Sequence, residues 1–127
     1  MKTTSLSAAA EEVEPRRTEL PRSWRQFSKQ YPSVVAAYDA LSEACRSAGP
    51  LDEPAVALVK LAVSVGGGIE RTVHAHAKKA LRAGVDPDAL RQVALIALPT
   101  IGLPATLDAL RWIDESIREE YPPRPWR

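Results

Sequence analysis

The sequence predicts an all-α fold, a compact bundle of about five to six helices. Apolar residues recur at helical spacing along most of the chain, and no segment alternates apolar and polar residues as a half-buried strand does. Residues that start and stop helices are also frequent, as in the start at Asp86 and Pro87 and the stop at Gly84. These observations favour helices that pack on one another and leave no segment for a sheet.

Six helical segments follow from these signals. In chain order they are residues 23–31, 33–49, 51–68, 69–83, 86–102 and 104–121. The expected N-caps are Ser23, Ser33, Asp52 and Asp86. Gly84 is the expected left-handed cap of the fourth helix, and Pro99 is expected to kink or end the fifth. The last helix is expected to pack through Leu107, Leu110, Asp114, Ile117 and Tyr121.

A single helical domain is expected over residues 22–121, because 127 residues suit one domain with a modest core. Residues 1–21 are rich in Thr, Ser, Ala and Glu without a sustained period, which predicts a flexible N-terminal tail. Residues 122–127 form a proline-rich C-terminal tail that stops the last helix.

Charge and hydropathy exclude several classes of partner. A net charge of +1 argues against a nucleic-acid or anionic-membrane surface, since either needs clustered basic residues. Lys60 and Gly66 interrupt the most apolar run, so no membrane span is expected. The first residues lack the apolar core of a secretory signal, and the cytoplasm is therefore the expected location.

The chain has one cysteine, Cys45, which excludes an intramolecular disulfide and a CxxC redox pair. It shares a helical stripe with Val34, Tyr38 and Leu41. We therefore expect Cys45 to be buried and to serve in packing.

The two histidines, His74 and His76, lie on the helix predicted at 69–83. At 100° per residue they point about 160° apart, so they cannot bind one metal ion together. His76 is expected on the apolar, inward stripe, where an imidazole needs a partner or has a shifted pKa. A structural histidine and an acid–base group are both compatible with that position.

His74 is expected on the outer face, four residues from Glu70 and from Lys78. The Glu70 and His74 spacing suits half of a metal site, which would need one or two further ligands from another helix or subunit. A solvated Glu–His pair is the simpler interpretation. We therefore expect no metal and no other cofactor.

The stretch "LVKLAVSVGGGIERTVHAHAKKALRAGVDPDALRQVALIALPTIGLPATLDALRW" resembles the core of the carboxymuconolactone decarboxylase family, which includes the alkylhydroperoxidase D-like proteins. The matching landmarks are the apolar helix before the glycines, His76 followed by "AKKALRAG", the start "VDPDAL", and "IGLPATLDAL", within residues 33–117. The resemblance implies an alkylhydroperoxidase D-like fold that assembles into trimers or hexamers. The nearly all-round apolar helix at 55–65 agrees with such an assembly.

The peroxidase branch of that family carries CxxC with a histidine four residues after the second cysteine. Counting back from His76, the cysteine positions fall on Thr72 and Ile69, and the position of the proton-relay glutamate falls on Ala57. CxxC-dependent peroxidase activity is therefore not expected. Peroxide reduction by Cys45 alone is the least favoured alternative.

The decarboxylase branch keeps the histidine without the cysteines. The resemblance implies cofactor-free, lyase-type acid–base chemistry on a small organic acid, with His76 as proton donor or acceptor. The other candidate catalytic residues are Glu70 and His74. The candidate substrate-binding residues are Lys60, Arg71, Thr72 and Lys79. The alternative is a non-catalytic, oligomeric ligand-binding or assembly module of the same fold.

Overall fold

The computed structural model describes residues 22–122, which form six α-helices. These are α1 (Arg22–Gln30), α2 (Pro32–Arg46), α3 (Glu53–Gly67), α4 (Glu70–Arg82), α5 (Pro87–Ile101) and α6 (Leu103–Glu120). No strand occurs in this part of the chain, so the predicted all-α fold is confirmed. Apart from Pro122, the tails expected at 1–21 and 122–127 lie outside the described residues.

The chain divides into two compact units, with the boundary between Ala48 and Gly49. In the first unit, two aromatic rings of α1 and that of Tyr31, directly after this helix, lie in succession. The Trp24 and Phe27 ring centroids are 6.0 Å apart, and those of Phe27 and Tyr31 are 5.4 Å apart. Helices α1 and α2 each begin one residue earlier than expected. Ser23 and Ser33 therefore lie inside these helices and not at their N-caps. In α2 the cause is Pro32, whose fixed φ suits the first helical turn.

The expected burial of Cys45 is wrong, because the thiol is exposed. Its neighbours on the α2 stripe are exposed as well: Val34 is 50% exposed, Tyr38 58% and Leu41 60%. Apolar spacing identifies one face of a helix, but it does not tell whether the same chain covers that face.

The second unit, from Gly49 onward, consists of α3 to α6 around one core. Helix α4 packs against α3 and α6, while α5 packs against α6 and α3. The core residues come from all four helices and the loop after α4: Leu61, Val65, Val73, Ala77, Ala80, Leu81, Val85, Leu90, Ala94, Ala109 and Ile113. Full burial of one large aliphatic side chain contributes about 1.5–3 kcal/mol, so this core holds the four helices together.

The helix starts predicted at Asp52 and Asp86 are confirmed. An Asp52 carboxylate oxygen accepts a hydrogen bond from the Ala55 amide at 3.0 Å, and Asp86 accepts one from the Asp88 amide at 2.7 Å. Such caps satisfy amides that the first helical turn leaves without a partner. Pro99 does not end α5, which continues to Ile101.

The predicted left-handed cap after α4 is also confirmed. Gly84 has φ +92°, and its amide donates to the Leu81 carbonyl at 3.0 Å. The Val85 amide donates to the Ala80 carbonyl at 3.0 Å, and the Val85 side chain is only 8% exposed. This is a Schellman motif, whose reversed φ favours glycine and which turns the chain back onto the core.

The packing face predicted for α6 is correct in part, because Leu110 and Ile117 are partly buried against the core, but the fully buried positions lie one residue earlier. The buried residues are Thr106, Ala109, Ile113 and Ser116. Leu107 and Tyr121 are more than half exposed. Small polar side chains occupy the inner face, and the Ser116 hydroxyl can be buried because it has hydrogen-bond partners.

Within residues 22–122, no helix combines the length and the apolarity that a bilayer crossing requires.

Candidate functional site

Helix α4 carries most of the candidate residues, and its buried stripe separates its two histidines. Val73, Ala77 and Ala80 are fully buried along the middle of this stripe. His74 and His76 lie on opposite flanks, and both are half-buried. The expectation of one inward and one outward histidine therefore needs correction, because each ring borders the core from its own side.

On the first flank, His74 is fixed by a hydrogen-bond chain to α6. Its Nδ1 lies 2.7 Å from the hydroxyl of Ser116, which is fully buried and lies 3.0 Å from the Trp112 carbonyl oxygen. A carbonyl can only accept, so the single hydroxyl hydrogen goes to Trp112. Both contacts are hydrogen bonds at once only if the His74 Nδ1–H donates to the Ser116 oxygen. In neutral His74, this leaves the lone pair on Nε2.

The Nε2 atom of His74 faces two carboxylates. It lies 3.5 Å from Glu70 Oε2 and 3.3 Å from Glu115 Oε1. One ligand atom from each of these three residues lies within 4.8 Å of the others. Glu70, His74 and Arg71 also line an open depression of the surface. The predicted interpretation as a solvated Glu–His pair is therefore incomplete, since α6 supplies a second carboxylate and a buried partner.

The same side of α4 continues in ion pairs with α6. Lys78 pairs with Glu119, and the hydrogen bond from Lys78 lowers the pKa of the Glu119 carboxyl. Arg82 donates to both carboxylate oxygens of Glu120 at 3.2 and 2.8 Å. We call this set of contacts the α4–α6 seam. It consists of Glu70, His74, Lys78 and Arg82 on α4 with Glu115, Ser116, Glu119 and Glu120 on α6.

Glu115 and Ser116 were not identified from the sequence. A signal for the pairing existed, because α4 places basic or titratable residues at every fourth position, and α6 carries a run of acidic residues near its end. Nothing in either pattern gives the register that puts Ser116 opposite His74.

On the second flank, His76 lies among positive charges. Its pKa is lowered below the ordinary value of 6.5, first by burial and then by the charges of Lys79 and Lys60. Lys79 is one turn further along α4, and Lys60 belongs to α3. The neutral imidazole therefore predominates at neutral pH.

The structure brings the predicted site residues together in two groups. Glu70 and Arg71 belong with His74, whereas Lys60 and Lys79 belong with His76. Thr72 lies one turn before His76 on the same side, and its hydroxyl donates to the Ile69 carbonyl of its own helix at 3.0 Å. The three candidate catalytic residues do not meet at one point.

Comparisons with known proteins agree with this fold and these landmarks. The family model of the carboxymuconolactone decarboxylase family matches residues 32–115. An uncharacterized protein of Haemophilus influenzae is 37% identical over 59 residues, which cover 46% of this chain and 52% of the relative. The chain thus spans about half the length of the curated relative it matches. No solved structure matched. With the family model covering most of the helical chain and only one cysteine present, this chain belongs to the carboxymuconolactone decarboxylase family and lacks the CxxC pair.

Proposed function

We propose that the chain catalyses lyase-type acid–base chemistry on a small organic acid, with His76 as the proton donor and acceptor and no cofactor in that reaction. The observation that carries the proposal is the position of His76, half-buried beside the core and within the field of Lys60 and Lys79. A neutral imidazole between two cations is a place where an anionic substrate is attracted and a proton can be transferred.

The chemistry follows from these charges. A substrate carboxylate binds to the ammonium groups of Lys60 and Lys79, which offsets the positive field around His76 and allows the imidazole to take up a proton from solvent. When the bond to the departing carboxylate breaks, CO2 leaves and its bonding electron pair stays on the substrate carbon. The imidazolium then donates its proton to that carbon and returns to the neutral form.

The other candidate residues have lesser parts in this proposal. Thr72 lies on the His76 side of α4 and can contact the substrate once its hydroxyl turns away from the Ile69 carbonyl. Glu70, Arg71 and His74 border the opposite flank. We therefore assign proton transfer to His76 alone.

A substrate screen with a charge variant tests the proposal. Small carboxylic acids, including lactone carboxylic acids, are incubated with the protein in D2O, and CO2 release and deuterium incorporation are measured. Lys60→Gln should raise KM about tenfold, as expected for the loss of one charge-assisted contact. Lys29→Gln on α1 is the matched control and should leave KM unchanged.

Binding of acids without CO2 release or deuterium incorporation would reject catalysis and support the non-catalytic ligand-binding module. An equal KM in the two lysine variants would reject the assigned carboxylate contact.

We also propose a trimer or hexamer in the cytoplasm. The exposed apolar side chains of α3 support the assembly, since Val59 is 50% exposed and Val63 is 71% exposed. Light scattering at micromolar concentration should give a mass of three or six chains, and a stable monomer would contradict the assembly. The cytoplasmic location stays a prediction.

A further inference from the structure

The His74 end of the α4–α6 seam places an imidazole nitrogen and two carboxylates around one point. The Nε2 atom of His74 lies 3.5 Å from Glu70 Oε2 and 3.3 Å from Glu115 Oε1. Charge-assisted hydrogen bonds are about 2.7–2.9 Å long, so both contacts are too long for a strong bond from a protonated ring. The three ligand atoms all lie within 4.8 Å of one another.

The two separations from Nε2 are close to those between the ligands of a tetrahedral metal ion, and small side-chain rotations of the two glutamates would set the third. Zinc binds imidazole nitrogen and carboxylate oxygen at about 2.0–2.2 Å, and tetrahedral geometry then separates neighbouring ligand atoms by about 3.3–3.5 Å. Octahedral geometry at about 2.0–2.1 Å brings neighbouring ligands to about 2.8–3.0 Å. The two measured distances agree with the tetrahedral arrangement.

Ser116 orients the imidazole for this purpose. Its hydroxyl accepts from Nδ1–H of His74, which leaves the Nε2 lone pair directed toward the two carboxylates. Metal-binding histidines generally use their other ring nitrogen in this way, donating it to a fixed oxygen acceptor. The serine is fully buried, so the orientation is built into the packing of α4 on α6.

The surroundings of the three ligands suit an ion that has one coordination position open to solvent. The three protein ligands leave a fourth tetrahedral position, and Glu70 and His74 border the open depression, through which an ion and a water molecule can enter. One imidazole with two carboxylates favours a zinc-class ion, because calcium and magnesium prefer oxygen ligands alone. Arg71 at the rim would attract an anionic group to that fourth position.

We propose that Glu70, His74 and Glu115 bind one zinc-class divalent ion per chain. The inference does not depend on His76 or on the proposed reaction. It opposes the expectation from the sequence that no metal is bound, because Glu115 of α6 supplies a third ligand that the sequence pattern does not reveal.

Metal binding to the full chain tests the proposal. The experiment uses Cys45→Ser protein without an affinity tag, because the exposed thiol would bind zinc by itself. After chelation and dialysis, zinc titration should reach one ion per chain. Cobalt(II) should give the intense visible absorption of tetrahedral coordination. Calcium and magnesium at the same concentrations should not compete.

Variants separate this site from adventitious binding. His74→Asn keeps an amide that can donate to Ser116 but removes the metal-binding nitrogen, so zinc affinity should fall at least 100-fold in a folded protein. Glu70→Gln and Glu115→Gln should each weaken zinc at least tenfold. Ser116→Ala should weaken it about 10–100-fold through loss of orientation. Asp108→Asn, a change on the same helix at an exposed carboxylate that pairs with Arg111 outside the seam, should leave the affinity unchanged.

Stoichiometric zinc that persists in His74→Asn, or binding that is lost equally in Asp108→Asn, would overturn the site. The site would also be overturned if the parent protein did not bind zinc with a Kd of about 1 μM or lower. None of these outcomes bears on His76, whose test is turnover of an organic acid.

Discussion

The two flanks of α4 show how one helix can hold two histidines in opposite environments. His74 has a fixed hydrogen-bond partner on α6 and faces two carboxylates. His76, two residues later, has its pKa lowered by burial and by two lysines. Carboxylates lie near the ring on the seam, whereas lysine side chains lie near the ring on the other flank. The same residue type therefore serves as a candidate cation ligand on one side and as a candidate proton carrier on the other.

The largest expected difference is in turnover. His76→Gln should lower kcat/KM for the substrate found in the screen by about 10²–10⁴-fold, because it removes the proton carrier. His74→Asn, the matched change on the other flank, should lose less than tenfold. Steady-state kinetics on folded, assembled variants measure both. A larger loss in His74→Asn would reverse the assignment of the two flanks.

The next largest effect is expected in the core, against which the buried stripe between the two flanks of α4 packs. Leu61 is fully buried in α3 and belongs to the same core as Val73 and Ala77 of α4. Leu61→Ala should lower the free energy of unfolding by about 2–5 kcal/mol through lost burial and a residual cavity. Gln92→Ala, at an exposed position of α5, should change it by less than about 0.5 kcal/mol. Urea denaturation gives both values, and a similar small loss in the two variants would contradict the packing described for α4.

A smaller effect is expected within the seam. Ser116→Ala removes the buried acceptor of His74 and should cost about 1–3 kcal/mol in the free energy of unfolding, measured with a chelator present. Ser28→Ala is the control, since the Ser28 hydroxyl donates only to the Trp24 carbonyl one turn earlier. It should cost less than about 0.5 kcal/mol. Equal costs would mean that the His74 contact adds nothing to stability.

The smallest effect is the pH dependence of the Lys78–Glu119 pair. The folded-state pKa of Glu119 lies below the ordinary 4.5, so the pair stabilises the fold above that value. The contribution is lost as the pH falls through the lowered pKa. Glu119 is more than half exposed, which limits the contribution to below about 1 kcal/mol.

Lys78→Gln should therefore destabilise the protein slightly at pH 6 and not at pH 3. Urea denaturation at the two pH values measures the difference. If the difference in the free energy of unfolding between Lys78→Gln and the parent protein were larger at pH 3 than at pH 6, the lowered pKa of Glu119 would be contradicted.

The sequence predicted the helices well because their ends are decided locally. Asp52, Asp86 and Gly84 act on amides and carbonyls within a few residues of themselves, and each acts as expected. One error is also local, since Pro32 starts α2 before the expected cap Ser33. Errors of a different kind lie where a distant part of the chain decides. Cys45 has the spacing of a packing residue and is exposed.

In the candidate site, too, local relations between residues were predictable and contacts between distant residues were not. The i,i+4 relation of Glu70, His74 and Lys78 was predictable, because it follows from helical geometry alone. The partners of His74 were not predictable. Ser116 is 42 positions away in the chain, and a serine is not expected to be fully buried. The Ser116 hydroxyl is satisfied on the inner face because it contacts the His74 imidazole and the Trp112 carbonyl.

The exposure of the single thiol gives the chain a natural attachment point. A maleimide dye placed on Cys45 would mark α2 once per chain, with no second cysteine to compete. In a trimer or hexamer, several identical dyes would then lie within range of one another, and energy transfer among them would depolarise their emission. Dilution with unlabelled protein would restore the polarisation stepwise, and the course of that recovery counts the subunits. The residue that has no partner for redox chemistry is thus well suited to report how many copies assemble.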